Sequence, residues 1–107
     1  MEEKRVLLTG FEPFSGLDIN ESSEVVRLIS KAGLQEIEIV PSILSVDEEG
    51  TESSLDILKS VVFDAVIPLG LSRNSEKILF ERFANNMSSM ELPDNSGRVI
   101  ESSKILE

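Results

Sequence analysis

The apolar positions of this chain fall into short runs whose spacing changes from one run to the next. Residues 5–9, RVLLT, are apolar without alternation, the pattern of a parallel strand buried on both faces. Val25, Val26, Leu28 and Ile29 then recur at helical spacing, with Asn20 or Ser22 placed to cap the helix and Gly33 to stop it. In residues 36–44, EIEIVPSIL, Ile37 and Ile39 alternate with polar neighbours. Pro41 removes a ladder donor there and predicts an edge or strand end, so this second strand is expected to be peripheral. A second amphipathic helix is predicted over 51–62, with Leu55, Leu58 and Val62 on one face. The acidic stretch VDEEG lies ahead of it, where the helix dipole favours negative charge. Residues 64–70, DAVIPLG, complete the set as a third strand, apolar on both faces.

The order β-α-β-α-β predicts an α/β fold: a parallel sheet with right-handed crossovers, layered as a three-layer sandwich. Ligands of such sheets bind beyond the carboxyl ends of the strands. Two loops, TGFEPFSG at 9–16 and LGLSRNS at 69–75, leave the sheet on that side. Residues 77–90 are less clear. Leu79 or Phe80, Phe83, Met87 and Met90 repeat at helical spacing, while Ile78, Phe80, Arg82 and Ala84 alternate, and the pattern taken alone favours a helix. LPDNSG at 92–97 is a dense turn signal. With no repeat, low-complexity segment or linker, residues 1–107 are expected to form a single domain.

Charge and composition narrow the chemistry. Twenty acidic against ten basic residues give a net charge of −10, which repels nucleic-acid phosphates and anionic membranes. No apolar run approaches the ~18 residues of a membrane span, and MEEKR at the start suits neither a secretory leader nor a transit peptide, so a soluble, cytoplasmic protein is expected. There is no cysteine and no histidine. Thiol nucleophiles, zinc-thiolate sites and imidazole bases are therefore absent from this sequence, and nothing in it signals a metal or organic cofactor.

The loop at 9–16 lacks the spacing of a dinucleotide fingerprint and the lysine of a phosphate loop, so nucleotide binding is not expected. Phe11 and Phe14 either plug the top of the sheet or flank a small flat ligand. Glu81 beside Arg82, in ILFERFA, is either a surface ion pair or a carboxylate held for a purpose. Arg73, Asn74 and Ser75 fit an ordinary loop, and Asp47, Glu48 and Glu49 a solvated lead-in to a helix.

Several of these stretches together resemble the N-terminal half of the pyroglutamyl peptidase I (pyrrolidone-carboxylate peptidase) family. The family's strand runs into T-G-F-(E/D)-P-F-G-G, which is Thr9-Gly10-Phe11-Glu12-Pro13-Phe14-Ser15-Gly16 here, with Asn20 a few residues on. Its E-R-x-A-x-N motif stands as Glu81-Arg82-Phe83-Ala84-Asn85-Asn86, and its P-D-N-x-G turn as Pro93-Asp94-Asn95-Ser96-Gly97. The resemblance implies a cytoplasmic cysteine peptidase family that removes an N-terminal pyroglutamate, with Phe11 and Phe14 contacting the pyroglutamyl ring. It also implies that Glu81 is the third member of a Cys-His-Glu triad, orienting the histidine. It places Glu81 on an extended segment, which shifts the expectation for residues 77–84 from helix to strand.

This sequence departs from the family at Ser15, where a glycine is usual, at Glu21, where a proline is usual, and at 71–75, which lack a Gly-rich turn ending in arginine. The family's cysteine and histidine belong to its C-terminal half, so the chain is expected to be incomplete relative to the family fold and inactive as it stands. Three readings compete. The chain is a fragment of such a peptidase, as its abrupt ending at SSKILE suggests; or it is a non-enzymatic α/β module of that descent binding a small ligand or a partner; or it is an interaction protein whose open sheet edge recruits another subunit. The partner expected is a second copy of the chain or a complementary C-terminal half, with a peptide bearing N-terminal pyroglutamate as ligand.

Overall fold

A computed structural model of the chain describes residues 3–87, 90 and 92–105. Three strands and two helices follow in the order β1 (Lys4–Phe11), α1 (Glu21–Ala32), β2 (Ile37–Leu44), α2 (Glu48–Ser60) and β3 (Ala65–Pro68). The sheet is parallel throughout and its order is β2-β1-β3, with Val6 opposite both Ile39 and Ala65. The chain steps from β1 to one side and returns across it to the other. Right-handed crossovers then set α1 and α2 on opposite faces, which is the expected layering.

Central position explains the unbroken apolar run of β1. Val6, Leu7 and Leu8 are buried and, with Val26 of α1 and Leu44 of β2, form the core among the described residues. Pro41 sits within β2, where the lost donor is tolerated because β2 is an edge strand. β3 carries a proline of its own, Pro68, at its end.

Both helices begin where side chains can cap them, and both bury less than their patterns predict. The Asn20 side chain accepts a hydrogen bond from the Ser22 amide at the start of α1, and Gly33 ends the helix with its N–H on the Ile29 carbonyl. Only Val26 and Ile29 of the expected apolar face turn inward; Val25 and Leu28 lie off that stripe and stay exposed. Helix α2 starts three residues ahead of the prediction because the acidic run is its cap and first turn: Asp47 caps, and Glu48 and Glu49 follow at the positive end of the dipole. Leu55 and Leu58 are exposed, and Val62 lies beyond the helix end.

The third strand is present but shorter than the apolar run over 64–70, and all four of its residues are exposed, because it is an outer strand and α2 packs against β2. Residues 78–85 form neither the helix of the periodicity nor a paired strand; Ile78 and Phe80 are more than nine-tenths exposed. A strand there needs a ladder partner, and none joins it. Residues 88 and 89 of the same stretch lie outside the described residues. No helix among the described residues is long and apolar enough to cross a membrane.

Candidate functional site

The strand order reverses at β1, so the loop that leaves its carboxyl end lies where open α/β sheets hold ligands. That loop is TGFEPFSG, and the start of α1 clamps it. Asn20, fully buried, uses its side-chain oxygen to accept from the Ser22 amide (3.0 Å) and the Ser22 hydroxyl (2.7 Å), and its amide nitrogen donates to the Glu12 carbonyl at 3.3 Å. The Ser22 hydroxyl in turn accepts from the Phe11 amide at 2.9 Å. Sequence patterning marks Asn20 only as a cap. It is a cap and a loop anchor together.

Beyond the clamp the chain reverses at Ser15 and Gly16, both at positive φ (55° and 76°), and the Leu17 amide donates to the Phe14 carbonyl. Phe11 and Phe14 are half-buried. Phe14 lines a pocket of about 340 Å³ with Val46, Met90, Leu92, Pro93 and Asp94. Phe11 is not part of that wall. The pocket thus joins the loop after β1, the loop after β2 and the turn at 92–97.

The turn is fastened from several sides. The Asn95 side chain donates to the Pro13 carbonyl at 3.2 Å and accepts from the Val46 amide, while the Asn95 amide donates to the Val46 carbonyl at 2.8 Å. Asp94, with its side chain 4% exposed, accepts from the Ser96 and Arg98 amides and from Arg98 Nε. Arg98 Nη1 also meets Glu48 at 2.6 Å. The Ser96 hydroxyl donates to Asp47 at 2.8 Å. The Ser45 hydroxyl holds the Asp47 carboxyl below the usual carboxylate range, and the Gly50 amide and Ser96 hydroxyl add to the effect. The sequence marks LPDNSG as a turn and nothing more; its bridging role depends on groups about fifty and eighty residues away.

Glu81 is exposed and among the described residues makes no hydrogen bond or ion pair. It does not line the pocket that holds Phe14. Arg82, the neighbour read as its ion-pair partner, places its guanidinium 5.3 Å from the Phe83 ring centre instead. Arg73 and Asn74 form a turn, and Ser75 closes it onto Lys77. Among the described residues no cluster of three acidic, cysteine or histidine side chains is placed to hold a metal ion. The arrangement offers a mostly apolar wall, with the Asp94 side chain as its charged member. That suits a small neutral ring with polar edges.

Comparison with known proteins agrees with this geometry. A family model described as pyroglutamyl peptidase matches residues 4–107. A pyrrolidone-carboxylate peptidase of Oceanobacillus iheyensis is 35% identical over 104 residues, spanning 96% of this chain and 52% of that protein. One from Vibrio vulnificus is 34% identical over 95 residues, spanning 88% and 45%. Among solved structures, the pyrrolidone carboxyl peptidase of Fervidobacterium islandicum superposes with a TM-score of 0.91 at 38% identity, covering 96% of this chain and 50% of that one. The pyroglutamyl peptidase I of Bacillus amyloliquefaciens gives 0.89 at 31%, covering 100% and 51%. The chain spans about half the length of the relatives it matches. Fold, loop and turn, matched over nearly the whole chain, place it in the pyroglutamyl peptidase family.

Proposed function

We propose that this chain supplies the ring-recognition half of a pyroglutamyl-peptidase site and performs no hydrolysis by itself. In this reading Phe11 and Phe14 flank the lactam ring of a peptide with N-terminal pyroglutamate. Glu81 orients an imidazole that a complementary C-terminal half brings, together with the thiol nucleophile. The reading carries the family's cytoplasmic setting with it. The observation that supports it best is the anchored phenylalanine loop at the carboxyl end of the central strand, held by Asn20 and Ser22.

The chemistry requires the second half. Amide hydrolysis by this route needs a thiolate to attack the carbonyl and an imidazole to take and return the proton. The sequence has neither. A carboxylate that orients a histidine has nothing to orient in their absence, and the exposed, unpaired Glu81 agrees with that. The whole catalytic act is thus assigned to the chain plus its complement, and ring binding to the chain.

Binding is the direct test. Titration of the chain with pyroglutamyl-alanine, followed by the NMR amide signals of residues 10–16, is expected to give saturable shifts. Phe14→Ala should weaken them about tenfold, the loss of roughly 1.4 kcal/mol of ring contact. No saturable shift at several millimolar ligand, from a chain whose fold is intact, would overturn the reading.

A further inference from the structure

We infer that Asn95 is a positioning residue for the phenylalanine loop: its side chain fixes Phe14 against the turn at 92–94, and the fit of a lactam-bearing ligand to the Phe14 pocket depends on that hold. Two opposite hydrogen-bonding functions are used at once. The amide nitrogen donates to the Pro13 carbonyl, directly before Phe14, and the amide oxygen accepts from the Val46 amide, which belongs to another wall of the same pocket. The main chain of Asn95 repeats the second link through the Val46 carbonyl. One side chain therefore ties the loop after β1 to the loop after β2 at Pro13 and Val46, beyond the Glu12 amide's bond to the Leu44 carbonyl.

Its base is rigid. Buried Asp94 accepts from two backbone amides of its own turn, and Ser96 fastens the turn to Asp47 at the head of α2. The loop it holds is fixed at its near end, where Asn20 and Ser22 secure Phe11 and Glu12. Past Glu12, the Pro13 bond to Asn95 and the tight turn from Phe14 to Leu17 are the hydrogen bonds of the loop among the described residues. Removing the Asn95 donor leaves Phe14 on a strained turn anchored at one side. No other common side chain replaces both functions in this geometry: aspartate has no donor, and glutamine is one carbon too long.

The identity of the ligand rests on the proposed ring-recognition role; the positioning of Phe14 does not. The test replaces the five phenylalanines with 4-fluorophenylalanine and reads the fluorine spectrum, with each line assigned by Phe→Leu substitution. Asn95→Asp keeps the acceptor for Val46 and loses the donor to Pro13. It is expected to move or broaden the Phe14 line while the Phe80 and Phe83 lines stay, and hydrogen exchange at the Val46 amide remains slow. Affinity for pyroglutamyl-alanine should fall about fivefold, the ratio one ordinary hydrogen bond is worth. Asn95→Ser is read in the same way should the aspartate variant fail to fold. An unmoved Phe14 line in a folded variant overturns the inference. If the Phe14 line moves but the parent chain binds no dipeptide, the positioning role stands and the ring-recognition role fails.

Discussion

At Gly10 the central strand runs close against the first helix. A Cβ at this position would stand 2.7 Å from the Ser22 carbonyl oxygen and 3.0 Å from Val26 Cγ2. Gly10→Ala is expected to cost about 1–3 kcal/mol, read as a lower urea midpoint with an unchanged slope, because two fixed backbones must move apart. Ser15 gives the opposite sign. It occupies the left-handed region at φ 55°, where an L side chain costs roughly 1–2 kcal/mol. Ser15→Gly relieves that cost and loses about 0.4–1 kcal/mol through the unfolded chain, so the variant should be as stable as the parent or slightly more so in the same urea titration. Clear destabilisation would contradict it. At this scale Phe11, Phe14 and Asn20 were legible because they sit in a turn directly behind an apolar run. Asn95 was not, since nothing local marks an asparagine whose partners are Pro13 and Val46. The parts assigned to Phe11, Phe14 and Glu81 are proposals from family likeness.

Capping decides the second helix. Asp47 accepts hydrogen bonds from Ser45, Gly50 and Ser96, and its carboxyl is held below its ordinary value. A carboxylate with a depressed folded-state pKa stabilises above its unfolded value, near 4, and the contribution is lost as pH falls through the folded value. The melting-temperature gap between the parent and Asp47→Asn should therefore be widest above pH 5 and shrink steadily below pH 4. A gap independent of pH would contradict it. The same residue shows why element ends were harder to read than element types. By pattern the acidic run is a lead-in to α2, and in the structure it is the cap and first turn, a difference of one turn that only the hydrogen bonds resolve. Strand and helix order was legible because β1 is unbroken and apolar and both helices are amphipathic. Residues 77–90 were not, since two periodicities compete there and tertiary partners choose between them. Across the described residues 78–85 no ladder forms.

The whole molecule exposes more surface than its mass warrants. A folded monomer of 11.8 kDa shows roughly 5,900 Å² to solvent, whereas this chain shows 8651 Å², about 2,700 Å² more. Its radius of gyration, 15.0 Å, exceeds the roughly 13 Å of a compact chain of this length. The excess includes the open face of β3, Leu55 and Leu58 of α2, and the Ile78, Phe80 and Phe83 side chains. Alone, the chain is expected to self-associate, more strongly as salt screens its charge of −10. Sedimentation velocity should show a mass above one chain that rises with concentration and falls for Phe80→Asp; a strict monomer at moderate salt would contradict this. A complement of similar size would cover the same surface, and in the proposed reading catalysis needs that partner. Release of a fluorescent amine from a pyroglutamyl conjugate separates recognition in this half from chemistry in the other. The chain is assayed alone and after refolding with a C-terminal half carrying the cysteine and histidine. The chain alone is expected to give no turnover and the mixture to restore it; turnover by the repurified chain alone would overturn this division of labour.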